Sequence, residues 1–156
     1  MRVLRLLRTK GHTPAVEAAV VALARAGENG ILWHGLAASG AVLQPARRQV
    51  HLRAIAAVLS TLVVNTAVKA LVRRARPALA DLPALTPVLS GRSYPSAHSS
   101  TSFAGARILS EALPAGPLYA LAMAMAVSRP YLGVHYPSDV VAGALLGDAM
   151  GRLMGE

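Results

Sequence analysis

Leu52 to Val72 is a run of about twenty residues with only two charges, Arg53 and Lys69, both close to its ends. A helix of that length matches the hydrocarbon core of a bilayer. In lipid every backbone polar group has to find its partner within the protein, so a chain built around such a run is restricted to a helical bundle or a closed barrel. The rest of the sequence favours the bundle. Hydrophobic residues make up 54% of the 156 residues and charged ones 15%, against about 25% charge in a typical soluble domain.

The other segments read as helices around that span. Val3, Leu4, Leu6 and Leu7 alternate with Arg2, Arg5 and Arg8, a pattern that suits either an interfacial amphipathic helix or a frayed basic tail. No clear cleavage site marks this stretch as a signal peptide. Thr13 and Pro14 are the N-cap and first residue of a helix to about Ala26, expected to lie against the bundle or at the interface. Gly27 to Gly30 break it. Ile31 to Leu43 is apolar, with Trp33 placed as an interfacial anchor. Pro77, Pro83, Pro87, Gly91 and Pro95 make 77–95 a loop. Pro95-Ser96 opens a helix to Leu113, Pro114 to Pro117 form a turn, and Leu118 to Val127 lead to Ser128-Arg129-Pro130. Pro137-Ser138 opens the last helix, whose Ala142, Gly143, Ala144, Gly147 and Gly151 suit close helix contact. The expected fold is all-α: one domain over 1–156, with interfacial helices in 1–27 and a membrane core of about five transmembrane helices in 28–156.

Three polar clusters interrupt this apolar background: Lys69 to Pro77, Tyr94 to Ser99, and Ser128 to Asp139. One ends the second span, the next begins the third, and the last joins the fourth to the fifth. An up-and-down bundle therefore gathers them at one membrane face. Lys69 and Arg76, two helical turns apart, share a face while the helix lasts, and two cations suit an anion with several oxygens. Ser96 and His98 stand at a helix start, where free N–H groups and the helix dipole attract anions. His98 suits general acid work. His135 and Asp139 are spaced so that a carboxylate can orient an imidazole and leave its other nitrogen as a nucleophile.

Each cluster also has a plainer reading. Lys69 and Arg76 could snorkel to headgroups, as Arg73 and Arg74 between them are expected to do. Ser96 could simply cap a helix, and Asp139 is favoured at any helix N-terminus. Asn65 reads as an interhelical hydrogen-bonding residue. His12, His34 and His51 read as structural or interfacial, Asp148 as a residue that packs or pairs, and Glu111 and Asp81 as ordinary surface charges. The absence of cysteine and the histidine spacing give no zinc site. No metal or other cofactor is expected. The net charge of +9 points to anionic lipid rather than nucleic acid, because aromatics are only 4% and the cations flank apolar runs.

Taken together the clusters resemble the three motifs of the type 2 phosphatidic acid phosphatase (PAP2) superfamily: K-x6-R-P, P-S-G-H and S-R-x5-H-x3-D. Lys69, Arg76 and Pro77 match the first. Pro95, Ser96 and His98 match the second, with Ala97 in place of its glycine. Ser128, Arg129, His135 and Asp139 match the third. The resemblance implies a metal-independent lipid phosphatase. In it Lys69, Arg76 and Arg129 hold the phosphate, helped by Ser96 and the backbone at Ala97. His135 attacks phosphorus, His98 protonates the leaving oxygen and Asp139 orients His135. The Ala97 departure retains a backbone donor and puts only the local conformation in question.

Small size and an Ala/Arg-rich composition are similar to an actinobacterial branch acting on decaprenyl-phosphoryl-5-phosphoribose. Undecaprenyl diphosphate, phosphatidylglycerol phosphate and phosphatidic acid are the alternative substrates. A haloperoxidase shares these motifs on a soluble fold, which the apolar spans oppose. A non-catalytic lipid-phosphate binder or transporter is opposed by the complete His98, His135 and Asp139 set. The expected partners are the lipid phosphate and membrane lipids, and a homo-oligomer is left open. The basic residues near the clusters lean the active site toward the cytoplasmic face of a multi-pass inner-membrane protein.

Overall fold

The structure, a computed structural model, describes residues 2–88 and 90–155; Met1, Leu89, Glu156 and the side chain of Arg2 lie outside the described residues. Among the described residues the chain is helical, its only β pairing an isolated bridge between Ala75 and Arg92. The helices are α1 (Arg2–Thr9), α2 (Pro14–Ala26), α3 (Ile31–Leu43), α4 (Arg48–Val72), α5 (Ala97–Leu109), α6 (Ala115–Tyr131) and α7 (Pro137–Gly155). Single 3₁₀ turns, Glu28–Gly30 and Pro45–Arg47, precede α3 and α4.

Local chemistry explains most boundaries. The Thr13 side chain accepts from the Val16 N–H and Pro14 occupies the first turn of α2, as the sequence predicts. Ser96 caps α5 in the same way, accepting from Ser99. Arg73 adopts a left-handed conformation (φ 52°) that ends α4, so the helix stops before Arg76. Two expected boundaries are corrected. The α5 helix ends at Leu109, short of Leu113. The α6 helix begins at Ala115 and carries Ser128, Arg129 and Pro130 inside its last turn. Pro117 sits in the first turn of α6, where a missing N–H costs nothing.

Helices α3 to α7 run up and down. At one end Arg47 of the α3–α4 connection donates to the carbonyls of Glu111 and Ala112, and Arg53 donates to Gly155 O and pairs with Glu111. The opposite end gathers the start of α3, the end of α4, the start of α5, the end of α6 and the start of α7. The α7 glycines make the closest helix contact possible. A methyl group on Gly147 would collide with the Ser100 carbonyl of α5, one on Gly143 with Ser96 O, and one on Gly151 with Arg107. Backbone contact at four-residue intervals is how helices associate where no water drives them together.

The core mixes alanines of α3 to α6 with larger aliphatic side chains such as Ile108 and Leu109, packed around Trp33. Trp33 is 1% exposed, stands over Gly105 of α5 and donates its Nε1–H to Ser102 Oγ at 2.9 Å. It is therefore a core residue of the α3–α5 contact, not the interfacial anchor its position suggested. Large apolar side chains cover the outside instead: Leu71 is 81% exposed, Val42 78% and Leu153 73%. An apolar exterior around a polar-lined interior is the inverse of a water-soluble domain and fits a membrane protein.

The N-terminal helices lie across the polar end. Leu4 and Arg8 of α1 are buried, and Arg8 donates to Tyr131 O and Pro83 O. Both ends of α2 stay at this level. His12, just before it, stacks on Tyr131 at 4.0 Å, and Ala24 near its end meets His98. Helix α2 thus lies along that end of the bundle without crossing to the other.

Candidate active site

A cavity of about 280 Å³ opens at the polar end, lined among others by Lys69, Arg76, Ala97, His98, Arg129 and His135. Six of the eight candidate residues therefore line one space, although they come from α4, α5, α6 and two loops. Loop 73–96 is held down at its stem by the Ala75–Arg92 bridge and the Ser93 N–H to Arg74 O bond at 2.8 Å. Its far side is tied to the α6–α7 loop by the Leu85 N–H to Leu132 O bond at 3.0 Å.

Arg76 reaches the cavity by a different route from the expected one. With α4 finished at Val72, it shares no helix face with Lys69. Its Nε donates to Ser90 O at 2.7 Å, while Nη1 donates to Val134 O at 2.7 Å and lies 3.1 Å from His135 Nε2. A guanidinium only donates, so Nε2 accepts and carries a lone pair. The imidazole proton is then on Nδ1, facing Asp139 Oδ2 at 3.6 Å, an ion-pair distance beyond hydrogen-bonding range. His135 precedes α7 instead of sitting on it, so loop geometry sets this pairing, not helical spacing. Burial pushes the His135 pKa down to about 4, the Asp139 carboxylate opposing and Arg76 adding to the shift. The ring is therefore neutral near pH 7.

Asp139 is fully buried and held on both oxygens. Oδ2 accepts the Tyr136 N–H at 2.8 Å. Oδ1 accepts from Arg74 Nη1 at 2.9 Å, and the same Nη1 donates to Ser138 Oγ at 2.8 Å. The Arg74 guanidinium also stacks over the Tyr136 ring at 4.1 Å. This corrects the expectation that Arg74 only snorkels. Arg73, by contrast, is exposed and bonds back to Ala70 O. Nothing in the spacing distinguishes Arg74 from Arg73; the left-handed turn at Arg73 sends one outward and the other across to α7.

The other members are placed as follows. Lys69 Nζ donates to Pro95 O at 2.5 Å, an acceptor that Asn65 Nδ2 also approaches at 3.4 Å. Asn65 further donates to Ser100 Oγ, the interhelical role read from the sequence. Arg129 is 5% exposed, and among the described residues its guanidinium makes no hydrogen bond to the protein. A buried cation without partners is costly, and an entering anion relieves that cost. His98 Nε2 donates to Ala24 O at 2.9 Å, which leaves Nδ1 for a second, transferable proton. Ser96 is fully buried. Its hydroxyl is engaged with Ser99 and its N–H with Asp139 O, and it does not line the cavity. Gly27, Glu28 and Asn29 complete one wall, a contribution the sequence reading missed because that stretch reads only as a helix break.

Three cations, a neutral imidazole whose unprotonated Nε2 faces the Arg76 guanidinium, and a second imidazole suit the capture of an oxyanion and nucleophilic attack on it. The comparisons agree with that chemistry. The chain matches the PAP2 superfamily over residues 51–154. It is 39% identical over 132 residues to a Mycolicibacterium smegmatis decaprenylphosphoryl-5-phosphoribose phosphatase, covering 83% of this chain and 72% of that one. It is 38% identical over 146 residues to the Mycobacterium tuberculosis protein of the same name, covering 90% and 80%. Among solved structures, Aquifex aeolicus LpxE superimposes with a TM-score of 0.83 at 25% identity, over 98% of this chain and 92% of that one. A transmembrane PAP2-type phosphatidylglycerolphosphate phosphatase from Bacillus subtilis gives 0.56 at 25% identity, over 97% and 90%.

Proposed function

The chain belongs to the PAP2 superfamily and is a lipid-phosphate phosphatase, and from that premise we propose how its residues divide the reaction and which lipid they act on. Lys69, Arg76 and Arg129 bind the phosphoryl oxygens, with the backbone at Ala97 beside them. His135 attacks phosphorus through Nε2. The P–N bond forms as the P–O bond to the leaving alcohol breaks, and His98 gives that oxygen its proton from Nδ1. Asp139 faces the Nδ1–H and stabilises the positive charge the ring acquires as a phosphohistidine. Water then attacks phosphorus and releases inorganic phosphate, with His98 taking the proton back. Side-chain cations neutralise the transition state, so no divalent metal enters the scheme. Ser96 serves by capping α5 and tying its start to α7.

One observation carries this reading: His135 Nε2 lies 3.1 Å from the Arg76 guanidinium, on the wall of the cavity that also holds Lys69, Arg129 and His98. The relatives at 38–39% identity favour a polyprenyl-phosphate substrate, decaprenylphosphoryl-5-phosphoribose, whose pentose phosphate ester is cleaved. We further propose five membrane spans, α3 to α7, with α1 and α2 at the interface. At the end away from the cavity Arg47 and Arg53 are taken up by protein carbonyls and Glu111, leaving Arg48 and Arg107 exposed, whereas Lys10, Arg25, Arg73 and Arg92 are exposed at the cavity end. That distribution favours a cytoplasmic active site in the inner membrane.

The test is phosphate release in detergent with chelator present, from a panel of decaprenylphosphoryl-5-phosphoribose, undecaprenyl diphosphate, phosphatidylglycerol phosphate and phosphatidic acid. Turnover fastest on the pentose lipid and lost in His135→Ala is the expected result. Binding of all four without release of phosphate from any would remove the enzymatic reading.

A further inference from the structure

The corner between α2 and α3 is built in a way the phosphoryl chemistry does not require. Asn29 has φ 50° and Gly30 φ 74°, two successive left-handed residues that reverse the chain after α2. For Asn29 that backbone is costly without being prohibitive, the kind of local strain found at functional sites. The reversal presents Glu28 and Asn29 to the cavity. Both are exposed, and among the described residues neither side chain hydrogen-bonds or pairs with the protein. Among the described residues Glu28 is the one carboxylate lining the cavity, since Asp139 is buried behind His135.

This corner is anchored to the residue that must meet the leaving oxygen. His98 Nε2 donates to Ala24 O at 2.9 Å, and a side chain at Gly27 would meet His98 Cδ2 at 3.0 Å and run into Met125. His98, Gly27, Glu28 and Asn29 line the same cavity, so an alcohol that takes its proton from His98 leaves into a space walled in part by Glu28 and Asn29. A carboxylate repels phosphate and only accepts hydrogen bonds, so its fitting partner there is a hydroxyl donor. Asn29 offers an acceptor and two donors. The Glu28 charge acts on Arg129, but among the described residues the two form no ion pair, which leaves the carboxylate open to a hydroxyl donor.

We propose that Glu28, with Asn29, recognises hydroxyl groups on the alcohol side of the scissile phosphate, which makes them specificity residues for sugar-bearing lipid phosphates. The inference rests on the substrate reading above. It is tested by kcat/KM of the wild type, Glu28→Gln, Glu28→Ala and Asn29→Gly on decaprenylphosphoryl-5-phosphoribose and on phosphatidic acid, which has no free hydroxyl. Asn29→Gly removes the side chain while suiting the left-handed backbone, so it keeps the fold. The expected result is a loss of about ten- to a hundredfold on the pentose lipid for Glu28→Ala. Glu28→Gln and Asn29→Gly should show a smaller loss, and phosphatidic acid hydrolysis should be unchanged or faster in all three. Equal losses on both substrates (a structural role), equal gains on both (a counter-charge), or no change would overturn it. A wild type that cleaves phosphatidic acid but not the pentose lipid would instead overturn the substrate reading, and this inference with it.

Discussion

His135 is a neutral imidazole because of where it is buried, and that sets the pH behaviour of the free enzyme. Only the unprotonated ring attacks, and its pKa is depressed to about 4, so the neutral form persists well below the ordinary histidine range. The acid limb that His135 imposes on kcat/KM is therefore expected near pH 4 rather than 6.5; a His135 limb at 6.5, separated from substrate ionisation by using a phosphonate-insensitive binding assay alongside, would contradict the burial argument. His135→Ala is expected to lower phosphate release by at least about a thousandfold. Arg74 acts one step further back, through Asp139 Oδ1. Arg74→Ala leaves a buried carboxylate short of its cation, which then holds the imidazolium more tightly. The His135 limb should move upward and kcat should fall by about ten- to a hundredfold with little change in KM. Arg74→Lys retains charge but not the fork or the stacking on Tyr136, and should be intermediate.

Helix α7 carries Asp139 at its start and helix α5 carries His98 at its start, so the contact between them aligns two parts of the site. That contact depends on Gly147, where a side chain would meet the Ser100 carbonyl and the Ala104 nitrogen. Gly147→Ala is expected to destabilise the protein by about 1–3 kcal/mol, and Gly147→Leu to prevent folding. The single tryptophan, Trp33, sits on α5 at Gly105 and reports the loss as a lower thermal midpoint of its fluorescence in detergent. Gly116, with nothing near its would-be side chain, is the matching control: Gly116→Ala should leave that midpoint unchanged. Helix α2 has a separate effect. By giving Ala24 O to His98 it selects which imidazole nitrogen is free, so a helix that lies at the rim decides the tautomer of a residue on α5.

At the scale of the whole molecule, the five antiparallel helices place every polar cluster at one end, while Arg47 and Arg53 tie the helix ends together at the other. With α3 to α7 as the proposed spans, three crossings separate Lys10 from Gly116 and put them on opposite faces. The chain has no cysteine, so single-cysteine labelling has no background. With the cavity facing the cytoplasm, a membrane-impermeant maleimide should label Gly116→Cys in intact cells and Lys10→Cys only in inverted vesicles. The reverse pattern would move the active site to the outer face, and labelling of both from one side would refute five spans.

The sequence by itself carried the all-helical, membrane-associated class, the cation and histidine residues, and their gathering at one end. Those follow from hydrophobic run lengths and from motif spacing along the chain, both local properties. It also carried the glycine stripe of α7, because close helix contact needs small residues at fixed intervals. Tertiary structure alone decided which groups touch. Arg74 rather than Arg73 holds Asp139 because one left-handed residue turns the chain between them. Ser96 is engaged in capping because α5 starts against α7. Trp33 faces the core because α5 offers Gly105 there. Glu28 and Asn29 reach the cavity because α2 lies flat and the chain reverses after it. Contacts between segments tens of residues apart depend on how helices settle against one another, and residue spacing holds no record of that.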